Sequence, residues 1–220
     1  QRNDDNPVTR LAAAITRIGE HEWPQDIPPA TRQLLEGVSE ITGIAFTSET
    51  IGELLTELGS VAKFVAPTLQ NTSNPTFLEA GYKHNVIPGT ATGYVDCRTL
   101  PGQHEDVMLT IKELAGPGID IEVSEQGPAL EADYQTPLVA QMNASLLAAD
   151  PDARVLPYTL SGGTDNKSLS ELGIAGYGFA PLRLTGDLDF PAMFHGVDER
   201  VPVDALRFGT RVLGDFLMRA

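Results

Sequence analysis

The chain has 220 residues, 41% of them hydrophobic, with 21 glycines, 16 prolines and no low-complexity tract, which fits one large globular domain or two small ones. A net charge of -15 has the wrong sign for a nucleic-acid surface, whose phosphates call for cations. One cysteine, Cys97, excludes an internal disulfide, and no apolar run reaches the roughly 20 residues of a membrane span, so a cytoplasmic protein without a membrane partner is expected.

The sequence starts without methionine and enters a helix at once, which reads as the interior of a longer polypeptide and makes the missing signal peptide uninformative. Asn6 and Pro7 form an N-cap and a favoured first helical residue, and Val8, Leu11, Ile15 and Ile18 recur at helical spacing. From about 24 to 70 the signal stays helical but broken, through Leu34, Leu35, Val38, Ile41 and "SETIGELLTEL"; this predicts an insertion of short helices with "QNTSNP" as its exit loop. "TFLEAGYKHNV" and "ATGYVDCRTL" then predict two strands joined at "IPGT". A helix follows with Val107, Ile111 and Leu114 inward; "GPG" stops it, and "IDIEVS" alternates as a strand. The order helix, strand, strand, helix, strand is a split βαββαβ, ferredoxin-like unit lacking its first strand, which belongs inside the sheet.

Past Gly127, Thr136 and Pro137 cap a helix carrying Leu138, Met142 and Leu146. Strand-like "ARVLPYTL" enters the loop "SGGTDN", a short helix "KSLSEL" and "GIAGYGFAP". "FHGVDER" leads into a last helix with Leu206, Gly209, Leu213 and Phe216 on one face. The expected fold class is therefore α/β with an α+β lid. Residues 1–127 form a ferredoxin-like domain that includes the insertion, and residues 128–220 form part of an α/β layer with too few strands to stand alone.

Three groups of residues could carry chemistry. His195 lies between a predicted strand and a helix, where α/β sheets place their sites, with Asp198 and Glu199 close enough to orient an imidazole. A metal ligand, a general base and a plain surface turn all remain open, and one histidine cannot make a zinc site. In "LSGGTDN", Gly162 and Gly163 expose backbone N–H groups suited to an anion or carbonyl oxygen, and Thr164 adds a hydroxyl; the plain alternative is a tight turn with Thr164 or Asp165 as N-cap. In "VDCR", Asp96 and Arg98 share one strand face, so the guanidinium is either a held fork for a substrate carboxylate or one half of a salt bridge. Asn85 is a further polar candidate; its neighbour His84 points to the opposite face of a regular strand, and His21 and His104 sit at helix ends among charged residues.

Taken in order, "NPVTRLAAA", "NVIPGTATGYVDCRTLPG", "LSGGTDN" and "FHGVDERVPVDAL" resemble the second half of the co-catalytic metallopeptidases related to aminoacylase, the glutamate-releasing carboxypeptidases and succinyl-diaminopimelate desuccinylase. The resemblance covers nearly all of the chain except the inserted helices. It implies an α/β/α catalytic domain with two divalent metal ions, usually zinc, and an inserted ferredoxin-like domain that often mediates a homodimer. It implies His195 as the last metal ligand, Asn85 and Arg98 as substrate-carboxylate binders, and Gly162, Gly163 and Thr164 as pocket lining. The implied substrates are N-acyl amino acids or short peptides with a free carboxylate. The family's earlier ligands, its glutamate base and its carbonyl-polarising histidine have no counterpart in these 220 residues. Hence the expectation is the C-terminal portion of such an enzyme, inactive without the missing N-terminal half and containing no catalytic base. The alternative is a non-catalytic fragment or metal-free homologue that acts in dimerisation or binding.

Overall fold

The computed structural model describes residues 5–124 and 127–219, a mixed α/β chain that divides into two compact units. The first comprises Gln1–Pro28 and Leu69–Leu130, the second Pro29–Thr68 and Glu131–Ala220.

In the first unit, helix α1 (Pro7–Gly19) begins where the Asn6 side chain accepts the Val8 N–H at 3.0 Å, as the Asn-Pro pair predicts. Its face of Leu11, Ala14 and Ile18 is buried, and it lies on an antiparallel hairpin of β1 (Thr72–Ala80) and β2 (Ala91–Arg98). Gly93 permits the close approach: a Cβ there would meet Ile15 Cδ1 at 3.1 Å. Beside α1 runs α5 (His104–Ala115), and Ile18, Val107, Ile111 and Ala115 form the core against which Trp23, Val95 and Cys97 pack. Trp23 Nε1 donates to Ser73 Oγ at 2.9 Å, which donates to the Ile18 carbonyl at 3.1 Å, tying the end of α1 to β1. Arg17 crosses to the end of α5, its Nε on the Leu114 carbonyl and Nη2 on the Ala115 carbonyl, where a cation also favours the helix dipole.

Three expectations for this unit change. Strand β1 starts at Thr72, so residues 72–75 of "QNTSNP" are strand rather than loop. Pro75 has no N–H to donate, and the register shifts between Pro75 and Phe77 as a bulge. The strands are joined by residues 81–90, not by "IPGT" alone; Gly81, at φ 80°, ends β1 early. Residues 119–124 are not a strand. Their alternation is real, since Ile119 and Ile121 pack on the core while Asp120 and Glu122 are exposed, but a strand is defined by its ladder and they have no pairing partner among the described residues. The sheet observed has two strands, so the fuller ferredoxin-like sheet is not what the described residues form.

Cys97 projects inward from β2, and burial, followed by the Asp96 charge, pushes its thiol above the ordinary value. Because the thiolate is the nucleophile, Cys97 is expected to react with a disulfide reagent at pH 8 more slowly than a free thiol. Asp96→Asn should speed it; an unchanged rate would leave burial as the whole cause.

The second unit holds the inserted helices α2 (Pro29–Thr42), α3 (Ile51–Glu57) and α4 (Ala62–Val65), with a 3-10 turn at Gly59–Val61. It also holds α6 (Pro137–Ala149), α7 (Asn166–Glu171), α8 (Phe190–Met193) and α9 (Val203–Arg219). Thr136 Oγ1 accepts the Val139 N–H at 3.3 Å and caps α6, which packs on α9. The buried face of α9 is Ala205, Phe208, Gly209, Val212 and Phe216; Leu206 and Leu213, expected inside, are exposed. Gly209 lies on both stripes and marks a close backbone approach, since a Cβ there would sit 2.9 Å from the Pro181 carbonyl; Ala205, Phe208 and Val212 are the flank that turns inward beside it. Residues 153–160, read as strand-like, form no strand, again for want of a ladder partner among the described residues.

The sequence reading places the insertion with residues 1–127, whereas the structure groups residues 29–68 with 131–220. Side-chain contacts explain why. A Cβ on Gly37 would overlap Leu156, the Ala30 N–H reaches Glu131 Oε1 at 3.3 Å, and Phe64 meets Phe194 edge-on at 5.6 Å.

Candidate functional site

His195 follows Phe194, the C-cap of α8, and stands three residues before Asp198 of the charged triplet, so it lies between two helices rather than between a strand and a helix. Among the described residues it is the one non-glycine in the left-handed region, at φ 60°, a conformation an L side chain disfavours and one that surrounding structure must enforce. The Gly196 N–H closes the turn on the Met193 carbonyl at 2.7 Å, and a Cβ at Gly196 would meet that oxygen at 2.9 Å, so this position requires glycine. Glu199 acts on the backbone: its Oε2 accepts the His195 N–H at 3.3 Å. That differs from the expected hold on the imidazole. The ring instead lies edge-on to Phe194, with centroids 4.3 Å apart, and the side chain is exposed.

In the glycine loop, Thr164 Oγ1 accepts the Asn166 N–H at 3.3 Å and so makes the turn into α7. A Cβ on Gly163 would meet nothing within 4 Å, and one on Gly162 only Leu160 at 3.8 Å. Neither the backbone nor the chain's own packing demands glycine at these two positions. In the first unit, the Arg98 Nε and Nη2 both reach Asp96 Oδ2, at 3.2 and 3.1 Å, on the exposed face of β2. The Asp-x-Arg spacing therefore does hold the guanidinium. Asn85 is in the exposed turn of residues 81–90 rather than in a strand, so its alternation with His84 does not apply. Arg98 pairs with Thr72 at one end of the hairpin and Ala91 with Ala80 at the other. At about 3.4 Å per residue these ends lie on the order of 24 Å apart, so the hairpin does not bring Asn85 and Arg98 together.

What the sequence does not signal is the company His195 keeps. Phe64, Phe190 and Phe194 form a chain of edge contacts leading to its ring, and Phe64 is far away in sequence with no motif to mark it. Nor does it signal a cavity of about 490 Å³ lined by Arg32, Gln33, Glu36, Tyr134 and Leu156, in which Gln33 Oε1 is buried without a partner. None of the sequence-predicted site residues lines it.

A resident metal needs three or four ligands, and among the described residues no group of three or more His, Cys, Asp or Glu is placed to hold one. By themselves these residues do not fit a metal centre. Among the described residues no helix is long and apolar enough to cross a membrane.

Residues 2–117 match the model of the peptidase dimerisation domain of M20 peptidases. Human aminoacylase-1 is 27% identical over 135 residues, covering 58% of this chain and 31% of that protein. The N-fatty-acyl-amino acid synthase/hydrolase PM20D1 of Bos taurus is 24% identical over 219 residues, covering 94% of this chain and 43% of that protein. The chain thus spans less than half the length of either relative. Among solved structures, the M20 family metallo-carboxypeptidase Sso-CP2 from Sulfolobus solfataricus superposes with a TM-score of 0.56 at 18% identity, over 96% of this chain and 52% of that one, which supports the fold. With the dimerisation-domain match spanning more than half of its length, the chain belongs to the M20 peptidase family.

Proposed function

We propose that this chain is the C-terminal portion of a metal-dependent hydrolase that cleaves the amide bond of N-acyl amino acids or short peptides with a free carboxylate. The observation that carries the reading is the Arg98 fork, held by Asp96 at 3.1–3.2 Å on the exposed face of an M20 dimerisation domain. A fixed guanidinium suits the planar, bidentate recognition of a carboxylate. The names of the relatives, an aminoacylase and an N-fatty-acyl-amino acid hydrolase, support the same substrate class.

In this reading the first unit is the ferredoxin-like lid, its sheet completed by sequence outside the 220 residues, and it pairs with a second copy. Its outer face supports that pairing, since Phe77 and Tyr94 form an exposed edge-on pair at 5.4 Å. Residues 131–220 belong to the catalytic domain. His195 contributes one ligand to a zinc pair whose other ligands, like the general base, come from outside this chain. Asn85 is a polar substrate contact at the hairpin tip, too far from Arg98 of the same hairpin to share its carboxylate, and Gly162, Gly163 and Thr164 line the substrate pocket with open backbone donors. A cytoplasmic location accords with the single unpaired cysteine.

The test is selective. In the intact protein, Arg98→Lys keeps the charge and loses the fork, and kcat/KM on substrates with a free carboxylate should fall roughly 10–100-fold, the worth of one charge-assisted hydrogen-bond pair. The amidated analogues should change little. Equal losses on both would make Arg98 a structural partner of Asp96, and intact protein that binds N-acyl amino acids without turnover or bound metal would favour a binding homologue.

A further inference from the structure

The inserted helices lie outside the motifs that carry the resemblance, and the function proposed above gives them no task. Their contacts suggest one. The 3-10 turn Gly59–Val61 packs on α8, the short helix that leads into His195. Asp189 caps α8 by accepting the Ala192 N–H at 3.1 Å. Ser60 first, then the Ala192 N–H and the Lys63 charge, hold the Asp189 carboxyl below the usual range. From α4, Phe64 meets the Phe194 ring at 5.6 Å and 89°, Phe190 meets it at 5.5 Å, and Phe194 meets the His195 ring at 4.3 Å. A left-handed histidine persists only where its neighbours over-determine it. Here the Gly196 and Glu199 bonds fix the backbone, and the insertion supplies the wall behind the ring.

We propose that the inserted segment is a positioning element for the His195 turn, with Phe64 setting the imidazole through Phe194. Its effect on turnover rests on the reading of His195 as a site residue; its effect on the ring does not.

In the intact protein, the His195 imidazole C–H resonance, identified by its loss in His195→Gln, is followed together with kcat and KM. Phe64→Ala should move that resonance, because the Phe194 ring loses its support and reorients, and should lower kcat roughly tenfold, the low end for groups that orient a metal-ligating histidine, with KM within about twofold. Phe64→Tyr keeps the ring edge and should restore both. Leu54→Ala, which empties a fully buried position in α3 of the same segment, should lower the Tm and leave the resonance in place. Should Phe64→Ala fail to fold, Phe64→Leu carries the same readout. A wild-type resonance in the Phe64 variants, or the same displacement in Leu54→Ala, would overturn the proposal. A displaced resonance with kcat unchanged in both Phe64→Ala and His195→Gln would uphold the positioning and remove His195 from the chemistry.

Discussion

In the intact protein, His195→Ala is expected to cut turnover by more than about 100-fold and to reduce bound metal, while the fold survives. Groups that merely orient a ligating histidine cost about 10–100-fold when removed, so the ligand itself should cost more. The side chain is exposed and supports no core, so folding has little to lose from its truncation. The backbone gives a second, opposite readout. An L residue in the left-handed region pays roughly 1–2 kcal/mol, and glycine does not. His195→Gly should therefore unfold at a higher temperature than His195→Ala while being equally inactive. Metal analysis, turnover and thermal unfolding of both variants check this together. Wild-type metal content with near-normal turnover in His195→Ala would leave His195 as a strained surface turn.

The 220 residues expressed alone are expected to lack a cooperative thermal transition. They expose 14735 Å². A folded monomer of 23.6 kDa exposes about 9,800 Å², and even two separate units of the sizes seen here would expose roughly 11,800 Å². The excess includes large apolar side chains: Leu172 is 75% exposed, Leu217 63% and Met218 88%. The segments 119–124 and 153–160 have strand-like sequences and no ladder among the described residues. Each backbone group left unpaired against apolar surface costs about 1–3 kcal/mol, and a domain's net stability is only about 5–15 kcal/mol. Circular dichroism during heating, compared with a longer polypeptide that supplies the strand partners, tests the expectation. A sharp transition from a soluble monomer of the 220 residues would show that the two units close their own cores.

Some of this was legible because the physics involved is local. Asn6 and Thr136 cap their helices through hydrogen bonds spanning two or three residues, Gly116 and Gly118 stop α5 with φ of 75° and 74°, and Asp96 reaches Arg98 two residues away on one strand face. The last of these could be foreseen as geometry, though not which of its two uses it serves. The four motifs, in their order, were enough to mark the family. Where the reading failed, a partner distant in sequence decided the outcome. Alternation marked 119–124 as a strand, but a ladder needs a neighbour. Periodicity marked α9 as amphipathic, but the flank of Ala205, Phe208 and Val212 turned inward and Leu206 and Leu213 stayed exposed, a choice that packing against other segments makes.

The sequence by itself therefore determined the main helices with their caps and stops and the Asp96–Arg98 pair, because each depends on residues within a few positions of one another. Only the tertiary structure decided that the inserted helices join residues 131–220, that Asn85 and Arg98 sit at opposite ends of a hairpin, and that an aromatic chain starting at Phe64 backs the His195 ring. Those outcomes follow from packing between segments far apart along the chain, and apolar burial favours contact without encoding which partner will supply it.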